Sequence, residues 1–315
     1  MPPLDLLVGF ESAARHLSFT KAGAELFLTQ SAVSRQIKEL EDELGVELFE
    51  RAGRRLLGLT PPGRAMLPII ERLLQEADNL RHASSDFAGS ERGVLSLAAT
   101  HTQARYALPG AVRDFRSSHP QVSLHLQQGS PRQIAQLVLE GQADLAVATE
   151  ALADYPDLVA LPCYRWTHVV ITPPGHPLTQ EKTPLTLARL AQFPLVTYET
   201  GYTGRSHIDE AFARENLAPE VVLAAMDADV IKTYVELGIG VGIIASMAFD
   251  EERDLHLRAV EARHLFASNT TRVALKRGAY LRGYVFDFIE TFAPTLTRAV
   301  VERALASAPG ESFDI

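Results

Sequence analysis

The stretch Ser18–Arg51, SFTKAGAELFLTQSAVSRQIKELEDELGVELFER, decides how the first part of the chain is read. Ser18 stands where an N-cap would, ahead of a helical run from Lys21 to Phe27. The next helix begins near Gln30 or Ser31: Val33, Ile37, Leu40 and Leu44 recur at helical spacing, and Gly45 follows where a C′ glycine belongs. Its charge is lopsided. Arg35 and Lys38 share the first half with Thr29, Gln30, Ser31, Ser34 and Gln36, while Glu39, Glu41, Asp42 and Glu43 fill the second.

Upstream, Leu6, Leu7, Phe10, Ala13, Ala14 and Leu17 form another helical face. Downstream, VELFERAGRRLLGLT (Val46–Thr60) alternates loosely about Gly53 and predicts a two-stranded wing. Helices joined by a short turn and followed by a wing make a winged helix-turn-helix. A recognition helix enters the major groove by its N-terminal end, where hydroxyls, amides and arginine reach base edges and phosphates. Thr29, Gln30, Ser31, Ser34, Arg35 and Lys38 are therefore candidate DNA contacts. Arg51 and Arg54, with Arg55 and Arg64 nearby, are candidate phosphate contacts. The competing reading is a small helical domain with a solvated charged face.

One long helical pattern fills residues 61 to about 88. Thr60 can cap it, and Pro61 sits where a missing N–H costs nothing. Met66, Ile70, Leu73, Ala77 and Leu80 step by four, three, four, three, a heptad seam that predicts dimerisation; packing on the helix's own domain is the alternative. Pro68 is expected to kink it. Gly89-Ser90-Glu91-Arg92-Gly93 reads as a hinge.

From residue 94 strand and helix alternate: VLSLAAT, VSLHLQQ and DLAVAT with helices between them, then HVVIT, PLVTY, VVLAA and GVGII in a second set, then TRVALKR and two terminal helices. This predicts a largely parallel α/β architecture in two lobes with a cleft between them, the last strand returning to the first lobe. The expected organisation is a DNA-binding domain over 1–60, a linker helix and hinge over 61–90, and an effector-binding domain over 91–315. Within the last, lobe I takes about 91–162 and 267–315, and lobe II about 163–266.

Composition bounds the function. With 315 residues, 46% hydrophobic and 22% charged, the chain can build cores for about two domains. The single cysteine, Cys163, excludes an internal disulfide and a cysteine-rich zinc cage; it reads as a buried thiol near an interlobe crossover. No apolar run approaches the ~18 residues of a membrane span, and the start MPPLDLLVGF carries no basic leader, so a cytoplasmic protein is expected. The net charge of −9 weighs against nucleic acid as a partner, but only a local patch decides that question.

Ligands in open α/β sheets bind at the carboxyl ends of strands. Thr100-His101-Thr102-Gln103 follows VLSLAAT directly before a helix, where hydroxyls, an amide and free helical N–H groups make an anion site. Gly129-Ser130-Pro131, Thr149-Glu150 and Gly201-Tyr202-Thr203-Gly204-Arg205 stand at equivalent ends. Each alone reads first as a helix cap. Together they predict a small polar or anionic ligand, held by Thr100, Thr102, Gln103, Ser130, Thr149 and Thr203. His101 reads as a hydrogen-bonded structural residue. No nucleophile, base and orienting group match a catalytic pattern, so no catalytic residue, metal ligand or cofactor is assigned.

The Ser18–Arg51 stretch resembles the N-terminal signature of LysR-type transcriptional regulators, in its Ala-x-x-Leu, Thr-Gln-Ser-Ala-Val-Ser, Leu40-Glu41, Leu44-Gly45 and Leu48-Phe49-x-Arg51; LTPPG resembles that family's wing exit. The resemblance implies DNA contacts at Gln30, Ser31, Ser34 and Arg35, and an effector domain similar to periplasmic binding proteins. THTQARYALP, QGSP-x-QIA, ADLAVATEAL, LPCYRW, GYTGRSHID and DADVIKTYVELGIGVGIIASMA resemble the CysB-type regulators of cysteine biosynthesis and sulfur assimilation. That implies Thr100, Thr102, Gln103, Thr149 and Thr203 around the carboxylate or sulfate-like group of an effector such as acetylserine, sulfate or thiosulfate. The recognition helix starts Thr-Gln-Ser-Ala where the CysB type usually has Ser-Gln-Pro-Gly. The expected partners are promoter DNA, a small anionic effector, a second copy in a dimer or dimer of dimers, and RNA polymerase, with no membrane. Regulation of another pathway and a small-anion-binding protein without DNA function are the alternatives.

Overall fold

The computed structural model describes residues 2–53, 55–87, 92–202 and 204–307, and the chain divides into two compact units, 1–88 and 89–315. In the first unit, α1 (Leu4–His16), α2 (Phe19–Glu25) and α3 (Gln30–Leu44) precede β1 (Phe49–Ala52), β2 (Arg55–Leu59) and α4 (Pro61–Phe87). Ser18 caps α2 by accepting the Lys21 N–H, and Thr29 caps α3 by accepting the Ala32 N–H. Gly45, at φ +71°, ends α3 in the left-handed region that a side chain disfavours. Leu6, Phe10, Val33, Ile37, Leu40 and Phe49 make a single core, with the Phe10 and Phe49 rings 5.4 Å apart. β1 and β2 pair antiparallel as the wing.

The heptad seam of α4 divides. Ile70 is buried in this core and Met66 packs against it, together with Leu67 and Leu74 off the seam, whereas Leu73 (39% exposed) and Leu80 (72%) lie outside it. The first turns of the helix thus spend their apolar face on their own unit, because the wing delivers Pro61 directly beside that core.

The second unit holds two five-stranded sheets. The first has the order β4 (Val122–Gln128), β3 (Gly93–Ala99), β5 (Leu145–Ala148), β12 (Asn269–Lys276), β6 (Leu158–Trp166). The second has β11 (Arg258–Val260), β7 (His168–Thr172), β10 (Val241–Ala245), β8 (Leu195–Tyr198), β9 (Val221–Ala225). Both are mixed rather than largely parallel: β12 runs antiparallel to β5 and β6, and β7 antiparallel to β10 and β11. The reason is topological, since a chain that enters the second sheet must return beside the strand by which it left. β6 and β11 escaped the sequence reading because Pro162 interrupts one and the other is three residues long.

Each sheet is covered on both faces, which is why its strands read as apolar runs. Leu95, Leu97 and Ala99 meet Phe115 of α5 (Leu108–Ser118) and Phe288 of α10 (Gly283–Phe292), while Ala98 faces Ile134 of α6 (Pro131–Leu139). In the second sheet Ile243 faces Leu190 of α7 (Leu187–Leu190) and Ile208 of α8 (Arg205–Arg214), while Ile244 faces Ile231 of α9 (Ala228–Glu236). The last helix, α11 (Arg298–Leu305), puts Val301 and Ala304 into the first sheet's core, so the C-terminal segment belongs there. No helix among the described residues is long and apolar enough to cross a membrane.

Gly63, in the first turn of α4, gives this architecture a sharp test. A Cβ there would stand 2.2 Å from the Leu48 carbonyl oxygen, a backbone atom that cannot swing away. Gly63→Ala is expected to destabilise the N-terminal unit by about 1–3 kcal/mol, as overpacking does, and calorimetric melting of the variant checks it.

Candidate functional site

Capping and burial aim the N-terminal half of α3 outward. With Val33, Ile37 and Leu40 turned into the core, Gln30, Ser31, Arg35 and Lys38 are exposed and Ser34 is half-exposed. The Thr29 hydroxyl is engaged by the Ala32 N–H and lies 3.1 Å from the Ser31 hydroxyl. Neither Arg35 nor Lys38 has an ion-pair partner among the described residues, so both cations are available to phosphates or bases. Arg51 differs from the expectation. Its guanidinium pairs with Glu41, whose other carboxylate oxygen accepts the Leu48 N–H at 2.8 Å and the Phe49 N–H at 3.4 Å, so Arg51 ties the wing to α3. Arg54 lies outside the described residues.

In the second unit the anticipated segments meet at one end of the first sheet. β3 ends into Thr100, β5 into Thr149, and β4 into Gly129, whose N–H donates to the Ala99 carbonyl at 3.2 Å. Thr100 and Thr149 are buried, yet neither hydroxyl is committed to a hydrogen bond with another described residue. Thr149 precedes a 3-10 turn without capping it, and Thr100 leads the next helix only through its carbonyl, which accepts the Ala104 N–H at 3.0 Å. Two largely buried threonines whose hydroxyls are free to donate, beside helix starts, suit an oxyanion.

The other expected residues are spent differently. Thr102 lies one residue inside the helix, and its hydroxyl donates to the buried Tyr198 hydroxyl of β8, which also accepts the Ala245 N–H at 3.0 Å. Gln103 is fully buried: its amide donates to Thr271 at 3.1 Å and accepts from Tyr164 at 2.7 Å, tying the helix start to β12 and β6. Burial pushes the Tyr164 phenol up to about 12. Ser130 closes a capping box on α6 with Gln133, which accounts for its hydroxyl as an acceptor. Thr203 lies outside the described residues, between Tyr202 and Gly204 at the start of α8. The backbone from Gln103 to Ala107 winds as a π-helix, a departure that nothing in the sequence signals and that often marks a functional segment.

That π turn presents Arg105 and Tyr106 to the second lobe. The Tyr106 hydroxyl donates to Asp229 at 2.6 Å and Arg105 pairs with the same carboxylate at 3.3 Å. The Tyr106 ring packs against the second lobe's core, and Lys232 stands 5.3 Å from its centre. Burial pushes the Asp229 carboxyl up, but Tyr106, Lys232 and Arg105 outweigh it and hold the group below the ordinary carboxylate value. His101, Asp227 and Asp229 bring ligand atoms within 4.8 Å of one another. Asp229 is engaged by cations and Asp227 caps α9 through the Val230 N–H, which opposes a metal there. His101 is not the hydrogen-bonded residue expected: its Nδ1 is buried without a partner among the described residues. Cys163 is half-buried, and burial pushes its thiol up to about 12, far from the thiolate a redox sensor needs.

Residues 4–64 match the family described as bacterial regulatory helix-turn-helix protein, lysR family, and residues 88–297 match the LysR substrate binding domain. The chain belongs to the LysR family of transcriptional regulators. It is 51% identical over 305 residues to the HTH-type transcriptional regulator CysB of Burkholderia cenocepacia, covering 97% of each chain. To the regulator SsuR of the same organism it is 52% identical over 298 residues, covering 95% of this chain and 96% of that one. Among solved structures, the cofactor-binding domain of the Cbl transcriptional regulator superposes with a TM-score of 0.67 at 46% identity, over 69% of this chain and 96% of that one. The protein is thus a LysR-type regulator of the CysB, Cbl and SsuR group, which implies sulfur-related regulation, and not an enzyme. The CysB match, over 97% of this chain, takes in the helix-turn-helix.

The contact between Tyr106 and Asp229 predicts a pH signature. A carboxyl whose folded pKa is depressed adds stability above its unfolded value, about 3.9, and loses it as pH falls through the folded value. Tyr106→Phe is expected to cost about 1 kcal/mol at pH 7, with the gap to the unsubstituted protein closing as the solution is acidified below about pH 4. Urea unfolding of both proteins across pH measures it.

Proposed function

We propose that this regulator binds promoter DNA through α3 and the wing, and that a small anionic effector of sulfur metabolism, such as acetylserine, sulfate or thiosulfate, controls its action on sulfur assimilation or cysteine biosynthesis genes. The observation that carries the reading is the pair of largely buried threonines, Thr100 and Thr149, at the carboxyl ends of strands of the first sheet, whose hydroxyls are uncommitted among the described residues. In support, Thr102 sits beside them and is tied to Tyr198 of the second lobe, so the two lobes meet next to the strand ends. A ligand shifts a conformational equilibrium only by its differential affinity for the two states, and a site built from both lobes provides it. Gln103 and Arg51 enter this reading as positioning residues, Ser130 as a cap beside the site, and Thr203 as a further effector contact.

Arg35 and Lys38, without an ion-pair partner among the described residues, support the DNA-binding role despite the net charge of −9. The exposed Leu73 and Leu80 support assembly through the distal half of α4, as a dimer or dimer of dimers. The cytoplasm is the compartment this role requires, and RNA polymerase is the further partner proposed.

Two substitutions test the halves separately. Arg35→Ala removes a contact of the groove-entering half of α3 and is expected to cost about 1–3 kcal/mol of operator affinity at matched salt, with effector affinity unchanged; a gel shift on promoter DNA reads the first and calorimetry the second. In the other unit, Thr100→Ala removes a donor to the bound anion, worth about 1.5–3 kcal/mol or roughly tenfold or more in affinity. It should leave the melting temperature in place because the hydroxyl caps nothing. Ser130→Ala should do the reverse, lowering the melting temperature with little change in affinity. A Thr100→Ala protein that binds sulfate and acetylserine normally would remove the effector site from this cleft.

A further inference from the structure

The short helix Gln103–Ala107 is fastened to the first lobe at one end and reaches the second at the other. Gln103 is tied to β12 and β6, and the Leu108 N–H donates to its carbonyl, the i to i+5 bond of a π turn. The extra residue in such a turn re-aims the residues that follow while Gln103 stays anchored, and Arg105 and Tyr106 both meet Asp229 of α9. Burial and the Asp229 carboxylate push the Tyr106 phenol up, so it keeps its proton and donates. Asp229 is steadied from its own lobe as well. Lys232, one turn along α9, stands 3.6 Å from it and is itself held by the Asp254 carboxylate at 3.1 Å and the Ala248 carbonyl at 3.0 Å.

This contact is narrow. Tyr106 and Met247 line two cavities between the lobes, one of about 320 Å³ that reaches Ala111 and Phe292, the other of about 490 Å³ that reaches Pro109 and Lys232. The lobes thus meet at Tyr106 through a polar bridge with open space about it, where a close-packed interface would leave none. Thr102, three residues before Arg105, joins the lobes differently. It is 1% exposed and bonded to the buried Tyr198, so parting them strands two buried hydroxyls. The side chains of Arg105 and Asp229 are 53% and 41% exposed, and water can replace each for the other. One link is costly to break and the other is not.

We propose that Arg105, Tyr106 and Asp229 form a latch between the two lobes of the effector-binding unit, closed in this structure, whose opening lets the second lobe move against the first about the crossover strands. The two arms belong to the first lobe and the catch to the second. The latch sets how often the lobes part, whatever the unit binds. A single exposed ion pair would hold little; here the Tyr106 hydroxyl bond and its ring, packed on the second lobe's core, act with the pair on one carboxylate.

The test reads the lobes directly in the full-length protein. In a Cys163→Ser background, spin labels are placed at Arg132→Cys on α6 and Glu210→Cys on α8, both exposed, and labelled chains are diluted into excess unlabelled protein so that only distances within one chain are measured. The latched protein is expected to give one narrow distance distribution. Arg105→Gln with Tyr106→Phe removes both arms and leaves Asp229 its Lys232 partner, avoiding a stranded carboxylate. That variant should show a broadened distribution or a second population displaced by about 2 Å or more. Asp229→Asn alone should broaden it too, and adding it to the two-arm variant should change nothing further, as expected of groups that act as one unit. Raising the salt to about 1 M, where screening acts within about 3 Å, should broaden the distribution of the latched protein and leave that of the two-arm variant as it was. An unchanged distribution in the folded two-arm variant overturns the latch, and so does a lowered melting temperature with the distance unmoved, which makes the contact structural. Further broadening when Asp229→Asn joins the two-arm variant separates the catch from its arms and overturns it as well. If the two-arm variant fails to fold, the salt series on the latched protein decides, and a distribution that salt does not move overturns the proposal.

Discussion

β6 and β12 lie against each other from Leu158–Trp166 to Asn269–Lys276, and the effector-binding unit depends on that pairing. The chain leaves the first sheet along one of these strands and comes back along the other, so the second lobe is an insertion whose two ends emerge side by side. Because β12 also pairs with β5, the returning strand joins the first sheet between β5 and β6, with the whole second lobe lying between β6 and β12 in the chain. Non-local pairing of this kind is entropically slow to close, and it is what makes two lobes one cooperative unit.

The same geometry explains where polar groups are left unspent. Most of the cleft's hydrogen-bonding capacity is consumed internally: Gln103 by Thr271 and Tyr164, Thr102 by Tyr198, Ser130 by its own helix, Asp229 by Tyr106 and Arg105. These bonds hold the walls in place and span the lobes. Among the described residues, what remains at the strand ends is the uncommitted hydroxyls of Thr100 and Thr149 and the buried, unpartnered polar groups of Asn269 and Trp166, the last two costly to leave unpaired in a folded protein. A site preorganised in this way spends little ordering entropy when it binds.

The N-terminal unit follows the same division between residues that hold and residues that reach. Glu41 gathers the wing by accepting from Leu48, Phe49 and Arg51, so one acidic side chain on α3 sets where the wing stands relative to the helix. Arg35 and Lys38, one and two turns from the capped start of α3, have no ion-pair partner among the described residues. A chain with net negative charge can in this way present a local cationic surface, since counter-ion release depends on the charges that meet phosphate and not on the total.

Local signals were legible in the residues alone. Ser18, Thr29, Thr60 and Gly45 mark helix ends because capping involves atoms a few positions apart, and the period of the apolar residues marks which face is buried. The helix-turn-helix, the wing, the alternation of strand and helix, and the clustering of threonines at strand ends are all consequences of such short-range patterns. Tertiary structure alone decided how each polar group is spent. Arg51 looks like a phosphate contact until Glu41 is found against it, and Ser130 and Thr149 look alike until one caps a helix and the other does not. Asn269 carried no signal in the sequence at all, because an amide is conspicuous only when its neighbours leave it unpaired. Hydrogen-bond partners from β5, β6, β8 and β12 are brought together from distant parts of the chain, and the physical cost of burying a polar group is set by those partners and not by the residue's own place in the sequence.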